Sequence, residues 1–265
     1  MSRKQSGSRT SPFIKNYKRY KIIIMEKYFK TGFLICLFFI GTAGISLFSE
    51  EIIALNDSVF ITREMVSPTD NIEAMEAYNA GNALLRQRNF LEAEAFFLKA
   101  VELDNLYVDA MDHLGLVYRN LGKYKDAEYW YLKSIEINPN NLVPYMNLAM
   151  AYRFQGRFED ARQIYLRAQK IDPNDPEPYF GIGVLYQLAG QYRASIDFIN
   201  VATQKYDEKN SLLIFDSFYV QGENYYYLRE YEEALKLFRA AIIHHTDNIA
   251  IQNRIREIEN ILKRN

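Results

Sequence analysis

The sequence predicts an all-α protein, an α-solenoid of about five helical hairpins followed by one final helix. Three observations predict this fold. A residue pattern recurs with a period of 34 from residue 74 onward, small residues recur at fixed positions of that period, and the last 17 residues carry an apolar stripe with helical spacing. Self-similarity at such a period is the signature of stacked repeats, so it decides the fold class before any local preference does.

The repeating region divides into five units. Four of them begin 34 residues apart, and the fifth begins after an insertion at residues 210–214. The units are residues 74–107, 108–141, 142–175, 176–209 and 215–248. The eighth position is always small, with Gly81, Gly115, Ala149, Gly183 and Gly222. The twenty-fourth position is always large, with Phe97, Tyr131, Tyr165, Ile199 and Phe238. Small residues let two helices approach and large ones fill the space beside them, so each unit is expected to be an antiparallel helix pair.

Glycine and proline mark where helices of the middle units end. Gly122, Gly156 and Gly190 follow the first helix, where a residue that adopts positive φ is favoured. Pro139 and Pro173 follow the second helix. Together these columns resemble the tetratricopeptide repeat over residues 74–248. The resemblance implies a right-handed α-solenoid that binds protein partners.

The segments on either side of the repeats are predicted to differ. Residues 249–265 place Ile251, Ile255, Ile258 and Leu262 on one helical stripe with charged residues off it, which is typical of a capping helix. Residues 50–69 show no helical period, and residues 50–73 are predicted to be a linker. Thr69 or Asp70 is expected to cap the first helix of the array.

The N-terminal residues have the layout of an export signal or a membrane anchor. Residues 1–32 form a basic region with nine basic side chains and one acidic side chain, and residues 33–49 contain an uncharged run of sixteen residues, 33–48. A positive flank before an apolar stretch is typical of a signal peptide, although this run is slightly short for a permanent span. Whether this signal is cleaved stays an open question. The start of the protein is also open, because Met25 would begin a signal of more ordinary length and leave residues 1–24 upstream of the true start.

The rest of the chain offers little support for catalysis or for nucleic-acid binding. After residue 49 it holds 23 basic and 32 acidic side chains, the wrong balance for a polyphosphate partner. His244 and His245 are adjacent on a predicted helix, so they point about 100° apart and do not chelate one metal ion. Gly181 and Gly183 resemble the start of a phosphate-binding glycine motif. They lie inside a predicted helix with no strand before them, however, which disfavours a nucleotide site. No enzymatic activity, metal or cofactor is expected.

The resemblance also implies where a partner binds. In this family the first helix of each unit lines a concave groove with positions two, five, nine and twelve. The predicted groove residues are Tyr78, Asn82, Asp112, Arg119, Met146, Met150, Arg153, Phe180, Val184, Gln187, Tyr219, Glu223 and Tyr226. Several are more apolar than a solvated face needs, although coverage by neighbouring helices or by the linker would explain the same pattern.

The function favoured by these observations is a non-catalytic protein-protein interaction scaffold, with residues 50–265 exported to the periplasmic side or tethered there by residues 33–48. Such a scaffold would bind a peptide or helix in its groove and serve envelope assembly, secretion or pilus biogenesis. The alternatives are a cytosolic adaptor with a misread N-terminus, a non-catalytic subunit of an envelope enzyme complex and an unrecognised enzyme. Membrane contact is expected only through the N-terminal segment. The identity of the partner and the oligomeric state stay open.

Overall fold

The computed structural model describes residues 69–207, 211–244 and 246–264. These residues form eleven α-helices and no strand. The chain divides within its seventh helix into two compact units, one ending at Gly181 and the other beginning at Ile182. The predicted signal or anchor at residues 1–49, and the linker up to residue 68, lie outside the described residues.

The unit that ends at Gly181 contains three complete hairpins. Its helices are α1 (Ile72–Arg86), α2 (Phe90–Leu103), α3 (Val108–Asn120), α4 (Tyr124–Ile137), α5 (Leu142–Phe154), α6 (Phe158–Ile171) and the start of α7 (Glu177–Leu188). Within it α1 packs on α2, α3 on α4 and α5 on α6, while α3 also packs on α2 and α5 on α4. This is the packing that stacked helical hairpins require.

The unit that begins at Ile182 holds the rest of α7 and four further helices. These are α8 (Tyr192–Lys205), α9 (Ser211–Tyr227), α10 (Tyr231–His244) and α11 (Ile249–Leu262). Helix α9 packs on α8 and on α10, and α11 packs on α10. The predicted all-α fold of hairpins followed by a C-terminal capping helix is therefore confirmed.

The small residues of the repeat stand where helices meet closely. A Cβ atom on Gly115 would lie 2.5 Å from the ring of Tyr131, and one on Gly183 would lie 2.6 Å from the side chain of Ile199. Gly181, which the sequence offered as part of a glycine motif, makes room for the ring of Tyr165. Packing therefore accounts for both glycines of that motif.

The start of α1 differs from the predicted cap. Asn71 caps this helix, because its side chain accepts a hydrogen bond from the backbone nitrogen of Ala74 at 3.1 Å. The hydroxyl of Thr69 accepts a hydrogen bond from the backbone nitrogen of Asn71 at 3.1 Å and donates one to Asp104 at 2.5 Å. Thr69 thus fixes the capping residue in place, and the helix begins two residues before the repeat frame.

The outer sides of the first and last helices are mainly polar, although Ile72 on α1 and Ile249 on α11 are exposed there. On α1 the exposed residues include Glu76, Asn79 and Arg86, and Glu76 occupies the position where α3 buries Ala110. On α11, Ile251 and Ile258 are buried, while Gln252, Arg256 and Glu259 occupy positions that are mostly apolar or small in earlier first helices. Polar outer sides are what the ends of a repeat array need.

Candidate protein-binding site

The predicted groove residues lie on the first helices α1, α3, α5, α7 and α9, as the repeat frame requires. Tyr78, Asn82 and Tyr226 are half-buried. The other predicted groove residues are buried: Asp112, Arg119, Met146, Met150, Arg153, Phe180, Val184, Gln187, Tyr219 and Glu223. The side chains with the most accessible surface in the predicted set are therefore at the first and last repeats.

The apolar members of the predicted groove are packing residues. Met146, Met150 and Val184 are each only 1% exposed, and Phe180 and Tyr219 are also buried. Tyr219 contributes to an aromatic cluster, with its ring centroid 5.9 Å from that of Phe238. Truncating any of the five would open a cavity and lower stability. Their contact with a partner stays a prediction.

Tyr78 of α1 belongs to an aromatic cluster with residues of α3. Its ring centroid lies 5.0 Å from that of Tyr107 and 5.2 Å, edge to face, from that of His113. His113 Nδ1 lies 2.8 Å from the carbonyl oxygen of Asp109, so we assign the ring proton to Nδ1, which donates this hydrogen bond. Burial lowers the pKa of His113 and raises the pKa of Tyr78 to about 12. Both rings are neutral near pH 7.

Asp112 of α3 is a buried acid beside this cluster. Its Oδ2 accepts a hydrogen bond from Asn141 Nδ2 at 3.2 Å, while Oδ1 has no hydrogen-bond partner in the described part of the chain. Burial raises the pKa of Asp112 to about 8; Ser134 opposes this shift, the charge of Asp109 adds to it, and Asn141 lowers the pKa least. The carboxyl is therefore mostly protonated at pH 7, and an approaching cation would favour its ionised form.

Two arginines of the predicted groove lie around one aromatic ring. The guanidinium carbons of Arg119 and Arg153 are 5.9 Å and 5.3 Å from the ring centroid of Phe154, within cation–π range. Arg119 Nη1 also lies 3.2 Å from the sulfur of Met150. The first helices α3 and α5 thus hold buried positive charge as well as buried acids. A face of mixed charge fixes the orientation and identity of a bound partner more than it raises affinity.

In the compact unit that begins at Ile182, helix α11 supplies partners for Glu223 and Tyr226, two of the predicted groove residues on α9. Arg254 binds the buried carboxylate of Glu223 with two hydrogen bonds, of 2.8 Å and 3.1 Å. Its guanidinium lies 4.3 Å from the ring centroid of Tyr226 and donates to Glu257 at 2.8 Å. The hydroxyl of Tyr226 donates to Glu257 at 2.6 Å. At α9 the site is thus a closed polar network.

Sequence reasoning missed Arg254 and Glu257 as members of this network, although a signal for Glu257 exists. Helix α11 begins at Ile249, which is 34 residues after the start of the fifth unit, so α11 is the first helix of a further repeat. Extending the period beyond residue 248 places Glu257 at position nine of that helix. Treating the segment only as a cap concealed this relation.

Gln187 of α7 is a further polar residue of the predicted groove. Its amide nitrogen donates to the carbonyl oxygen of Val220 at 3.3 Å. Its Oε1 atom is buried and has no hydrogen-bond partner among the residues the structure describes. Like Asp112 Oδ1, it is an acceptor that packing alone leaves unsatisfied.

The described residues show no arrangement for a metal site or a membrane span. No group of three or more His, Cys, Asp or Glu side chains among them could hold a metal ion. Within the same residues, every helix is too short or too polar to cross a bilayer.

Comparison with solved structures reveals similar folds at low sequence identity. A thermophilic TPR protein of Thermus thermophilus is 18% identical over 70% of this chain and 98% of that one, with a TM-score of 0.57. MamA from Desulfovibrio magneticus is 15% identical over 68% and 99%, with a TM-score of 0.55. PilF of Pseudomonas aeruginosa is 19% identical over 74% and 93%, with a TM-score of 0.57. At these identities the likeness shows the fold alone.

Sequence comparison identifies the family. No sequence among curated proteins matches significantly. Three profiles of the tetratricopeptide repeat match residues 77–105, 107–174 and 145–209. These matches cover the first four of the five predicted units, and the helical hairpins extend through the fifth. The chain belongs to the tetratricopeptide repeat family.

Proposed function

We propose that this chain is a non-catalytic scaffold that binds a protein or peptide partner along its first helices. The observation that carries the proposal is the polarity of these helices at equivalent positions of the repeat. They keep Asp112, Arg119, Arg153, Gln187 and Glu223 although all five are buried. Buried polar groups cost stability unless they are paired, and their recurrence on successive first helices supports a polar face that recognises a partner.

The partner that fits this face is a peptide or helix that donates hydrogen bonds. In the compact unit that ends at Gly181, Asp112 Oδ1 is an acceptor without a hydrogen-bond partner in the described part of the chain, and Gln187 Oε1 is another in the compact unit that begins at Ile182. Asn82 and Tyr78 are half-buried and add an amide and a phenol at the first repeat. Backbone N–H groups or a basic side chain of a bound segment would satisfy such acceptors.

We place this scaffold outside the cytoplasmic membrane, in envelope assembly, secretion or pilus biogenesis. The support is the basic region at residues 1–32 followed by the apolar run at residues 33–48. The excess of basic residues before the run favours retention of that end in the cytoplasm and export of the rest.

Affinity purification from fractionated cells tests both parts of the proposal. A C-terminally tagged chain is expected in the envelope fraction together with a partner. Asn82→Arg should abolish recovery of that partner, because it places a bulky cation on the half-buried end of the site. Arg167→Glu on the exposed side of α6 is the matched control and should retain it.

Two outcomes would overturn the proposal, and circular dichroism must show that both variants are folded. Recovery of the partner with Asn82→Arg and its loss with Arg167→Glu would place binding on the second helices. Recovery of the chain, with or without residues 1–49, from the cytosol would refute the location.

A further inference from the structure

Exposed large apolar side chains are concentrated in the first two repeats. Eight of them occur between residues 72 and 137, namely Ile72, Met75, Leu91, Phe96, Leu106, Tyr129, Leu132 and Ile137. In the described chain from residue 138 to residue 207 there is none. Contiguous exposed apolar surface marks a protein-binding or membrane-binding site, whereas isolated exposed residues need no explanation.

Five side chains on α2 and α4 form what we call the outer patch: Leu91, Phe96, Tyr129, Trp130 and Leu132. Leu91 is 69% exposed, Tyr129 53%, Leu132 41% and Phe96 38%. Trp130 is half-buried, packs against a core cluster that includes Val101 of α2, and meets the Tyr129 ring edge to face at 5.1 Å. Trp130 therefore packs between α4 and α2, beside the exposed side chains of both helices.

Packing within the hairpins does not explain why the residues of the outer patch are apolar. Helices α2 and α4 bury Ala93, Phe97, Ala127 and Tyr131 on the side that faces their hairpin partners. Leu91 and Tyr129 lie on the opposite side by helical geometry. At the equivalent positions α6 carries Glu159 and Gln163, and its counterpart of Trp130, Ile164, is buried.

We propose that the outer patch rests on the surface of the lipid bilayer reached by the N-terminal segment, so that the first two repeats form a second membrane contact. The inference rests on the location given under the proposed function, and it goes beyond the expectation that only the N-terminal segment meets the membrane. The predicted apolar run ends at residue 48 and α1 begins at Ile72. Even fully extended, the residues between these two points span at most about 80 Å, so the first repeats stay within that distance of the bilayer.

The chemistry of the outer patch suits the interfacial zone of a bilayer. Tyrosine and tryptophan combine an apolar ring with a polar group and are enriched at that depth. Lys99 and Lys125 on the same helices can extend their ammonium groups to the headgroups while their stems stay apolar. The exposed acids Glu92, Glu102 and Asp126 offset these charges, so apolar insertion rather than attraction to anionic lipid should dominate.

The experiment uses Trp130, the only tryptophan in the chain. The full-length protein is reconstituted into phosphatidylcholine vesicles with ordinary or brominated acyl chains, and its tryptophan emission is compared. Brominated chains should reduce the emission at least two-fold, with little dependence on salt. The Tyr129→Ser, Leu132→Ser double variant should lose this quenching. Ile243→Ser removes a 75% exposed residue of α10, outside the outer patch, and should keep it.

Vesicle flotation separates the possible failures. Protein that floats with the vesicles but shows equal emission in both lipids overturns the second contact and leaves the N-terminal attachment intact. Quenching that persists in the folded double variant overturns the assignment to the outer patch. Protein that does not float overturns the attachment and the inference together.

Discussion

At the scale of single residues, the turn inside each hairpin contains a position with positive φ that is glycine in three repeats and arginine in two. Gly122, Gly156 and Gly190 have φ values of 71° to 72°, as the position requires. Arg88 and Arg229 occupy the same position in the first and last units, with φ values of 59° and 63°. A side chain with a Cβ atom is strained in this left-handed region.

Replacing Arg229 by glycine is expected to stabilise the protein. The left-handed conformation costs a non-glycine residue about 1–2 kcal/mol, and the greater freedom of glycine in the unfolded chain returns part of this, so the expected gain is about 0.5–1 kcal/mol. Urea denaturation measures it. Gly156→Ala should shift the midpoint in the opposite direction, and a lower midpoint for Arg229→Gly would show that the arginine makes a stabilising contact.

The buried acid Asp112 is expected to make stability fall as pH rises. Its pKa is about 8 in the folded protein, above the ordinary value of 3.8. The folded state therefore holds the proton more tightly, and stability is lost progressively between about pH 4 and pH 8. Asp112→Asn should be more stable than the wild type at pH 8, by at most about 5 kcal/mol, and nearly equal to it at pH 4.

Thermal melts of both proteins from pH 4 to pH 9 check this prediction. Buried His113 has a lowered pKa and so destabilises the fold as pH falls, but it is present in both proteins and cancels in their difference. A difference that does not change with pH would mean that Asp112 is ionised throughout.

At the scale of elements, the network between α9 and α11 is the interaction whose loss should matter most. The side chain of Glu223 is only 4% exposed and that of Arg254 18%. Arg254→Ala removes the two hydrogen bonds that this arginine makes with the buried carboxylate of Glu223 and should cost about 3–5 kcal/mol. Adding Glu223→Gln should recover a large part of that loss, because the uncompensated charge is removed. Purely additive losses in this double-mutant cycle would show that the ion pair is not coupled.

Helices and their pairing were predictable from sequence, but the accessibility of their faces was not. The 34-residue period identified the position of Gly115 and Gly183 at helix contacts, because the space beside a helix is set within one repeat. Met146 and Met150 were correctly placed on a first helix, yet their burial depends on neighbouring elements that periodicity does not describe. Asn71 replaced the expected cap because Thr69 bonds to Asp104, which lies 35 residues away in the chain.

At the scale of the whole molecule, distinct surfaces serve distinct roles. The first helices carry buried charges and amides, the outer patch on α2 and α4 is apolar, and the outer sides of α1 and α11 are mainly polar. A scaffold needs a surface for its partner and a fixed position in the cell. The proposed partner site and membrane contacts supply these two requirements from different parts of the sequence.

The most direct test of the central claim, that a protein partner binds along the first helices, is photo-crosslinking in living cells. A benzophenone amino acid replaces Tyr78 or Asn82, which are half-buried on α1, or Gln163, which is exposed on the outer side of α6. The account predicts a discrete adduct with one protein from positions 78 and 82 and none from position 163. Adducts from position 163 alone, or from none of the three positions, would contradict it.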